Sequence, residues 1–386
     1  MAAPALRALD GDRKVEPLDA RWQLREEGTT QRTGQSYELA ILPGDGIGNE
    51  VMPEALRVLD AVGAKHGIRF RYRNFDWNCE TYKITGRMMP EDGLDRLRDH
   101  DSILLGAVGW PGVPDHISLW GLLLPIRRAF DQYVNLRPVR LLPGVTPPVR
   151  DKAPGDIDFW VVRENTEGEY SQLGGRQGEG TENEMVLQTA AFTRRGTDRI
   201  LRYAFELARR LGKPHVTSAT KSNGIYYSMP YWDERFAAIA AEYPDVRVDQ
   251  DHIDILCARF VMSPERFDVV VASNLFGDIL SDLGPGVTGT IGVAPSGNIN
   301  PERVHPSTFE PVHGSAPDIA GKGIANPIGQ IWSAALMLDH LGEAEAGADV
   351  VAAIESVLSD DSAPRTPDLG GTASTEDLGK AVAAAV

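Results

Sequence analysis

Several features are scarce in this sequence, and each scarcity narrows the class of protein. Only two cysteines occur, Cys79 and Cys257, far apart and without CxxC or metal-ligand spacing, so we expect two reduced thiols and a cytoplasmic setting. No apolar run is long enough to span a bilayer. Basic residues are outnumbered, with 39 Lys and Arg against 55 Asp and Glu and a formal net charge of -16. Nucleic acid and membrane surfaces are therefore not expected as partners.

Length and composition indicate a globular protein of more than one domain. The chain has 386 residues, more than a typical single core accommodates, so we expect two domains. Residues 1–36 contain no apolar core of the kind found in secretory signals, and Asp10, Asp12 and Glu16 count against a transit peptide. We predict that residues 1–36 form a mobile N-terminal extension.

The stretch Phe267 to Asp282, FDVVVASNLFGDILSD, carries the strongest local pattern. Its β-branched run, Val269 to Ala272, predicts a buried strand, and apolar residues at helical spacing further on predict a helix. On that helix Asp278 and Asp282 are four residues apart and share one face. Two such carboxylates suit a hard divalent cation, Mg2+ or Mn2+, although a solvated acidic face has the same spacing.

Strand and helix patterns alternate over much of the chain, which predicts an α/β fold with a largely parallel sheet. The strand patterns are Ser102 to Val108, Phe159 to Val162 and His215 to Ala219. The helical patterns are Thr197 to Leu211 and Tyr231 to Tyr243. The next predicted strand is Val246 to Ile255, which carries Asp254.

Near the start, a strand pattern, the turn PGDGIG at 43–48 and a helical pattern follow one another. The glycines are spaced GxGxG and not GxGxxG, so a phosphate-binding turn and a turn that only needs positive φ both remain open. A Gly- and Pro-rich loop, Phe309 to Gly329, has enough Ile, Ala and Val to be ordered, so we expect it to be functional.

Three arginines, Arg127, Arg137 and Arg163, follow or end predicted elements. A guanidinium binds a carboxylate through two parallel hydrogen bonds, so three that converge suit a dicarboxylic acid. Scattered surface arginines are the alternative.

Five motifs, taken together and in order, resemble the β-hydroxyacid oxidative decarboxylases, the family of the isocitrate and 3-isopropylmalate dehydrogenases. They are PGDGIG (43–48), NLRP (135–138), RENTEGEY (163–170), NLFGDILSD (274–282) and HGSAPDIAGKGIANP (313–327). The likeness runs from about Tyr37 to Val386. Residues 108–141 are most similar to the branch of the family that acts on tartrate and D-malate.

The resemblance implies the two-domain α/β fold of the isocitrate and isopropylmalate dehydrogenases, which is not a Rossmann fold. Residues 37–132 together with 289–386 would form the large cofactor-binding domain, and residues 133–288 a small domain that makes most of a homodimer contact. The implied reaction is NAD-dependent oxidative decarboxylation of a small 2-hydroxy diacid with Mg2+ or Mn2+ and, as in some relatives, K+.

The resemblance also implies roles for the matching residues. Tyr170 and Lys221 would be the acid and the base, and Lys221 would reach across from the second subunit together with Asp254. The metal ligands would be Asp254, Asp278 and Asp282, and the substrate would contact Arg127, Arg137, Arg163 and Leu123. The cofactor would contact Ile47, His313, Gly314, Ser315, Ala316, Pro317, Asp318, Ile319 and Asn326.

In this family, cofactor and substrate choice depend on a few positions. Asp318 can accept a hydrogen bond from a ribose 2'-hydroxyl and would repel a 2'-phosphate, so NAD is expected. Leu123 stands where isocitrate enzymes use a polar residue. It also suits 3-isopropylmalate, but Trp120 replaces the acidic residue of the isopropylmalate enzymes. Bulky side chains in this region, including Trp110 and His116, would leave room only for a smaller diacid such as D-malate or tartrate.

Two alternatives of another class are a non-catalytic regulatory paralogue and a phosphate-binding module built on PGDGIG. The first is disfavoured because the acid, the base and all three aspartates are present. The second leaves Asp278, Asp282 and the late Gly-rich loop without a purpose.

Overall fold

The computed structural model describes residues 35–386, so all but the last two residues of the predicted N-terminal extension lie outside the described part. The strands are β1 (Ser36–Gly44), β2 (Arg69–Asn74), β3 (Ser102–Ala107), β4 (Val134–Arg140), β5 (Asp158–Glu164), β6 (Gly168–Gln177), β7 (Met185–Ala191), β8 (His215–Thr220), β9 (Arg247–His252), β10 (Val269–Ala272), β11 (Pro295–Ile299) and β12 (Ser307–Pro311). The α-helices are α1 (Gly48–His66), α2 (Cys79–Thr85), α3 (Gly93–Arg98), α4 (Asp115–Ser118), α5 (Leu124–Ala129), α6 (Arg194–Arg210), α7 (Ser228–Ala240), α8 (Ile253–Met262), α9 (Asn274–Thr288), α10 (Ile328–Leu341), α11 (Ala344–Ser359) and α12 (Thr375–Ala385).

Ten of the strands form one sheet in the order β2-β1-β3-β12-β11-β4-β5-β10-β8-β9. Most neighbours pair in parallel, but β4 is antiparallel to both β5 and β11, and β11 is antiparallel to β12. The two segments of the predicted large domain supply one half of this order, and the predicted small domain supplies the half from β4 to β9. The sheet is therefore continuous where the two predicted domains meet, and the division into domains stays a prediction.

Apolar side chains cover both faces of this sheet. On β1, Leu39 and Ile41 pack into one cluster, while Ala40 and Leu42 pack into a second. Because neighbouring residues of a strand point to opposite faces, these two clusters lie on the two sides of the sheet. Strands buried on both faces read as continuous apolar runs, which is why the patterns for β3 and β10 were clear in the sequence.

One local prediction is wrong, and two elements extend the sequence analysis. Asp254 lies in the first turn of α8 and not on a strand, because Leu256 and Phe260 are buried at helical spacing and β9 ends at His252. Helix α9 continues to Thr288 with Pro285 inside it, and this last turn is largely buried. Tyr170 lies on β6, which forms a two-stranded hairpin with β7.

Between residues 35 and 386, no helix combines the length and the apolar character needed to cross a bilayer.

Candidate active site

A cavity of about 200 Å³ is bordered by β4, β5, α5 and α9. It brings together the three arginines that were singled out in the sequence, the predicted acid Tyr170 and the predicted metal ligand Asp278. The lining residues are Leu119, Leu124, Arg127, Arg137, Arg163, Asn165, Tyr170, Asn274 and Asp278.

Strand pairing explains why two of these arginines meet. In the antiparallel pair β4–β5, Arg137 lies opposite Val161 and Arg163 lies opposite Asn135. Arg137 and Arg163 therefore occupy the same face of the sheet, two positions apart. Arg127 reaches the same cavity from α5.

Each of the three arginines is paired with one carboxylate. Arg127 Nη2 donates to Glu310 Oε1 at 2.8 Å, and Arg137 Nη1 donates to Asp282 Oδ1 at 2.8 Å. Arg163 Nη1 donates to Asp278 Oδ1. The three guanidinium charges are thus balanced within the protein, and both α9 aspartates have cationic partners.

The Arg163–Asp278 pair shows how burial and charge oppose each other. Burial lowers the pKa of Arg163 to about 10 against the attraction of Asp278. For Asp278, burial alone favours the neutral acid, but attraction to Arg163 and a hydrogen bond from Tyr170 outweigh it and lower the pKa of the carboxyl. Asp278 is therefore an anion at neutral pH.

Tyr170 is held against this anion. Its hydroxyl donates to Asp278 Oδ2 at 2.7 Å, and the Arg163 guanidinium lies 5.6 Å from the centre of its ring. Burial, followed by the hydrogen bond to Asp278, raises the pKa of Tyr170 to about 12. The phenol consequently keeps its proton at neutral pH and is able to act as a proton donor.

The predicted base lies elsewhere in the chain. Lys221 follows the end of β8, and its Nζ is 2.9 Å from Oδ2 of Asp254 in the first turn of α8. In the described part of the chain, neither residue lines the cavity that holds Tyr170. The side chain of Lys221 is 29% exposed and that of Asp254 is 67% exposed. Within one chain, therefore, the predicted acid Tyr170 and the predicted base Lys221 are not in the same cavity.

Three further residues, which sequence reasoning missed, hold the site in place. Asn274 Oδ1 accepts hydrogen bonds from Arg163 Nε at 3.0 Å and Nη2 at 2.8 Å. Glu169 accepts from the Ser273 hydroxyl at 2.8 Å and from an amide at the start of α9, so it caps the helix that carries Asp278. Glu310 is the partner of Arg127. Asn274 and Glu169 lie within two of the recognised motifs, but nothing in the sequence indicates their long-range partners.

Leu123 and the loop before it have a different environment from the cavity. Leu119–Leu123 forms one π-helical turn, and Leu123 packs against the apolar cluster behind it, while Leu119 and Leu124 line the cavity. His116 is exposed in α4. The role predicted for Leu123 in substrate contact stays a prediction.

The PGDGIG turn is bonded to the late Gly-rich loop. Ile47 N donates to Ser315 O at 2.9 Å, and a side chain at Gly46, where φ is +54°, would collide with the same carbonyl. The amides of Gly48 and Asn49 bond within the turn. Glu50 accepts from two amides of the late loop. Because these donors are already occupied, the glycines serve loop packing, and a phosphate-binding turn is not supported.

The late loop has two features that suit a ligand. Asp318 is exposed, and His313 is buried with Nδ1 near Gly314 O at 2.9 Å and with no hydrogen-bond partner for Nε2 among the described residues. An orphaned buried nitrogen of this kind fits a ligand that supplies the missing partner. Asn326, by contrast, is occupied, since its Nδ2 donates to Asp368 and its Oδ1 accepts from Ile328 N.

The α9 carboxylates fit a divalent cation only in part. Across residues 35–386, no group of three His, Cys, Asp or Glu side chains is placed to hold a metal ion. Asp278 and Asp282 offer carboxylate oxygens, which are the donors that Mg2+ and Mn2+ prefer. Asp254 is not beside them, and its arrival from a second subunit stays a prediction.

Comparison with known proteins defines the class. Residues 38–382 match the family model of the isocitrate/isopropylmalate dehydrogenases, and the chain belongs to that family. The fold agrees, because isocitrate dehydrogenase from Methylococcus capsulatus superposes with a TM-score of 0.81 at 33% identity, covering 90% of this chain and 99% of that one. The predicted family and fold class are confirmed.

Two curated relatives are more similar in sequence. The chain is 61% identical to D-malate dehydrogenase [decarboxylating] of Escherichia coli (strain K12) over 355 residues, 90% of this chain and 98% of that one. It is also 61% identical to tartrate dehydrogenase/decarboxylase of Pseudomonas putida over 355 residues, 90% of this chain and 97% of that one. The predicted likeness to this branch is confirmed.

Proposed function

We propose that this protein catalyses the NAD-dependent oxidative decarboxylation of a small 2-hydroxy diacid, either D-malate to pyruvate and CO2 or the corresponding oxidation of a tartrate. The observation that carries the proposal is the convergence of Arg127, Arg137 and Arg163 on one small cavity beside a protonated tyrosine. Planar guanidinium groups match carboxylates, and the relatives named for D-malate and tartrate support the same substrate class.

The charge balance of the cavity supports a divalent cation as a companion of the substrate. The three arginines are neutralised one to one by Glu310, Asp282 and Asp278. A dianion entering alone would leave two uncompensated negative charges in a partly buried site, which is costly. Asp278 and Asp282, with Asp254 of a second subunit, would hold Mg2+ or Mn2+. A monovalent K+ remains part of the proposal by resemblance.

The proton transfers follow from the two titratable residues. Lys221 from a second subunit would accept the proton of the C2 hydroxyl as the C2 hydride leaves. Tyr170 would then donate its proton to C3 after CO2 departs, which its raised pKa suits because the phenol stays protonated until then. When bound, NAD accepts the hydride, and the divalent cation polarises the C2 oxygen and stabilises the negative charge that decarboxylation leaves there.

NAD is proposed because Asp318, which is exposed on the late loop, would accept a hydrogen bond from a ribose 2'-hydroxyl and repel a 2'-phosphate. The orphaned Nε2 of His313 supports a ligand at this loop. The other residues that we propose to contact NAD are Ile47, Gly314, Ser315, Ala316, Pro317, Ile319 and Asn326.

A homodimer with shared sites accounts for the distance between acid and base. Lys221 and Tyr170 do not share a cavity within one chain, yet the reaction needs both at one substrate. Exposed apolar residues on α8 and β7 support a contact between two copies. They are Ile255, Val261, Met262, Met185, Val186 and Leu187. We further propose that the enzyme works in the cytoplasm.

The test is the formation of reduced nicotinamide, followed by absorbance, with D-malate, L-tartrate, meso-tartrate and 3-isopropylmalate in the presence of Mn2+. We expect kcat/KM for D-malate or a tartrate to exceed that for 3-isopropylmalate by about tenfold or more, and NAD to be preferred over NADP. A chelator should abolish turnover, and Mn2+ should restore it. A preference for 3-isopropylmalate would replace the proposed substrate, and no turnover of any diacid would favour a regulatory paralogue.

A further inference from the structure

Arg128 is a fourth arginine next to the cavity, and no motif drew attention to it. It follows Arg127 on α5, and its side chain bonds to Tyr170 near the start of the β6–β7 hairpin. Unlike its neighbour, it has no Asp or Glu within salt-bridge distance in residues 35–386. In a chain with a net charge of -16, an arginine without a carboxylate partner calls for an explanation.

The side chain of Arg128 has two partners, and both belong to the site. Its Nη2 donates to the main-chain oxygen of Tyr170 at 3.0 Å. Its guanidinium carbon also lies 4.9 Å from the centre of the Trp120 ring, within the range of a cation–π contact. Trp120 and Tyr170 both line a groove between the π-helical turn and the hairpin. Arg128 therefore connects Trp120 to the predicted proton donor, Tyr170. Trp120 belongs to the segment in which this branch differs from the isopropylmalate enzymes.

The backbone at Tyr170 lies where the strand pairing is interrupted. The β6–β7 pairing is regular from Leu173 onward, where Leu173 faces Thr189, and Gly168 faces Ala191, but the register shifts between them. Residues 169–172 thus lie in a bulge without regular pairing, and a bulge can re-aim the side chain that it carries. On β7, Gln188 Nε2 donates to the carbonyls on either side, Ser171 O at 2.5 Å and Glu169 O at 3.5 Å, whereas the carbonyl of Tyr170 itself accepts from Arg128.

We propose that Arg128 is a positioning residue, which fixes the bulge at Tyr170 through its main-chain hydrogen bond and stacks on Trp120 so that the phenol is aimed at C3 of the substrate. This inference rests on the proposed function, because it assigns Arg128 to the proton-donation step. Lysine cannot replace it fully, since a compact ammonium has no planar fork that can both stack and donate in one geometry.

The experiment compares Arg128→Met and Arg128→Lys with the parent enzyme. Arg98→Met is the matched control, because Arg98 lies over the Phe130 ring at 5.8 Å on α3, away from the hairpin. Two kinetic quantities are measured: the steady-state turnover of D-malate, and the burst of reduced nicotinamide formed in the first turnover. Amide hydrogen exchange of the peptide that contains Tyr170 is measured in all four proteins.

We expect Arg128→Met to lower kcat by about 10- to 100-fold and to change KM by less than about threefold, because its partner is a backbone carbonyl and not the substrate. The first-turnover burst should persist, since hydride transfer precedes proton donation. Arg128→Lys should recover part of the loss, and Arg98→Met should behave as the parent. Exchange over residues 168–172 should speed up in Arg128→Met and not in Arg98→Met.

A kcat for Arg128→Met within about twofold of the parent would overturn the proposal. So would unchanged exchange over residues 168–172, or a burst that slows in proportion to kcat, which would indicate a general structural defect. Failure of the proposed function is distinguishable, because it is the parent that would then fail to oxidise any diacid. In that case the exchange comparison alone decides whether Arg128 fixes the bulge.

Discussion

The two titratable pairs of the proposed site, Tyr170–Asp278 and Lys221–Asp254, differ in how the chain surrounds them. Asp278 is bonded by a buried arginine and by the phenol, in a cavity enclosed by β4, β5 and α9. Lys221 and Asp254 have each other as partners and are open to solvent, on the part of the chain that also exposes apolar residues of α8. The Tyr170–Asp278 pair has its partners within the subunit, whereas the Lys221–Asp254 pair lies at the surface.

If Lys221 is the base, as we propose, then a catalytic residue need not be enclosed within its own chain. The exposed pair looks like an ordinary surface ion pair, which contributes little to stability. It gains a role only if a second copy brings it to the enclosed pair. The predictions below test that relation, beginning with the change in activity that we expect to be largest.

Tyr170→Phe and Lys221→Met should each lower turnover by about 10²- to 10⁴-fold, as expected for loss of an acid or a base. A hybrid dimer of one Tyr170→Phe subunit and one Lys221→Met subunit should recover about half of the parental activity, because one of its two sites then contains both intact residues. Two affinity tags on co-expressed subunits allow the hybrid to be isolated and assayed.

The control is the double variant with both substitutions in one subunit, paired with a parental subunit. That hybrid has one altered residue in each shared site, so it should be nearly inactive. If it instead keeps half of the activity while the first hybrid is inactive, Lys221 acts within its own chain.

Asp278→Asn should destabilise the protein, whereas Asp254→Asn should not move the unfolding transition measurably. The first substitution leaves the buried Arg163 without its counter-charge at a cost of about 2 kcal/mol, less than for a fully enclosed pair because part of the carboxylate is exposed. Urea unfolding in the absence of metal, followed by circular dichroism, measures both. An equal loss for the two variants would show that the Lys221–Asp254 pair is also enclosed in solution.

The smallest expected effect concerns Tyr170, whose phenol should not titrate below about pH 10. With its pKa raised to about 12, Tyr170 should release no proton up to about pH 10, so parent and Tyr170→Phe should give the same phenolate absorbance there. Because the folded pKa is raised above the unfolded value, the stabilisation by neutral Tyr170 is complete below about pH 10 and is lost as pH rises toward 12. A difference in absorbance near pH 9 would place the phenol in a more open environment than the cavity.

Some of this site could be predicted from the sequence because its signals are local. The apolar run of β10 and the four-residue spacing of Asp278 and Asp282 follow from strand and helix periods, and both appear in the structure. The arginines were identified by residue type alone. Their convergence depends on the register of β4 against β5 and on the position of α5, which no local pattern encodes.

Other parts were missed because tertiary contacts outweigh local preference. The hairpin of β6 and β7 is rich in Gly and Gln and has few of the alternating apolar residues that predict strands. Asp254 was placed on a strand because residues 246–255 were read as one strand following a helix, whereas burial of Leu256 and Phe260 at helical spacing starts α8 at Ile253. Glu169, Glu310 and Arg128 have partners too distant in sequence for any motif to reveal.

The one-to-one pairing of arginines with carboxylates also has a consequence for the order in which ligands associate. Asp278 cannot bind an ion fully while Arg163 holds it, and Arg163 cannot accept a substrate carboxylate while it holds Asp278. Each proposed ligand would therefore release the protein group that the other one needs, and their affinities would become mutually dependent. Cation and diacid are expected to saturate the enzyme cooperatively, each weakly when alone and much more tightly when the other is present.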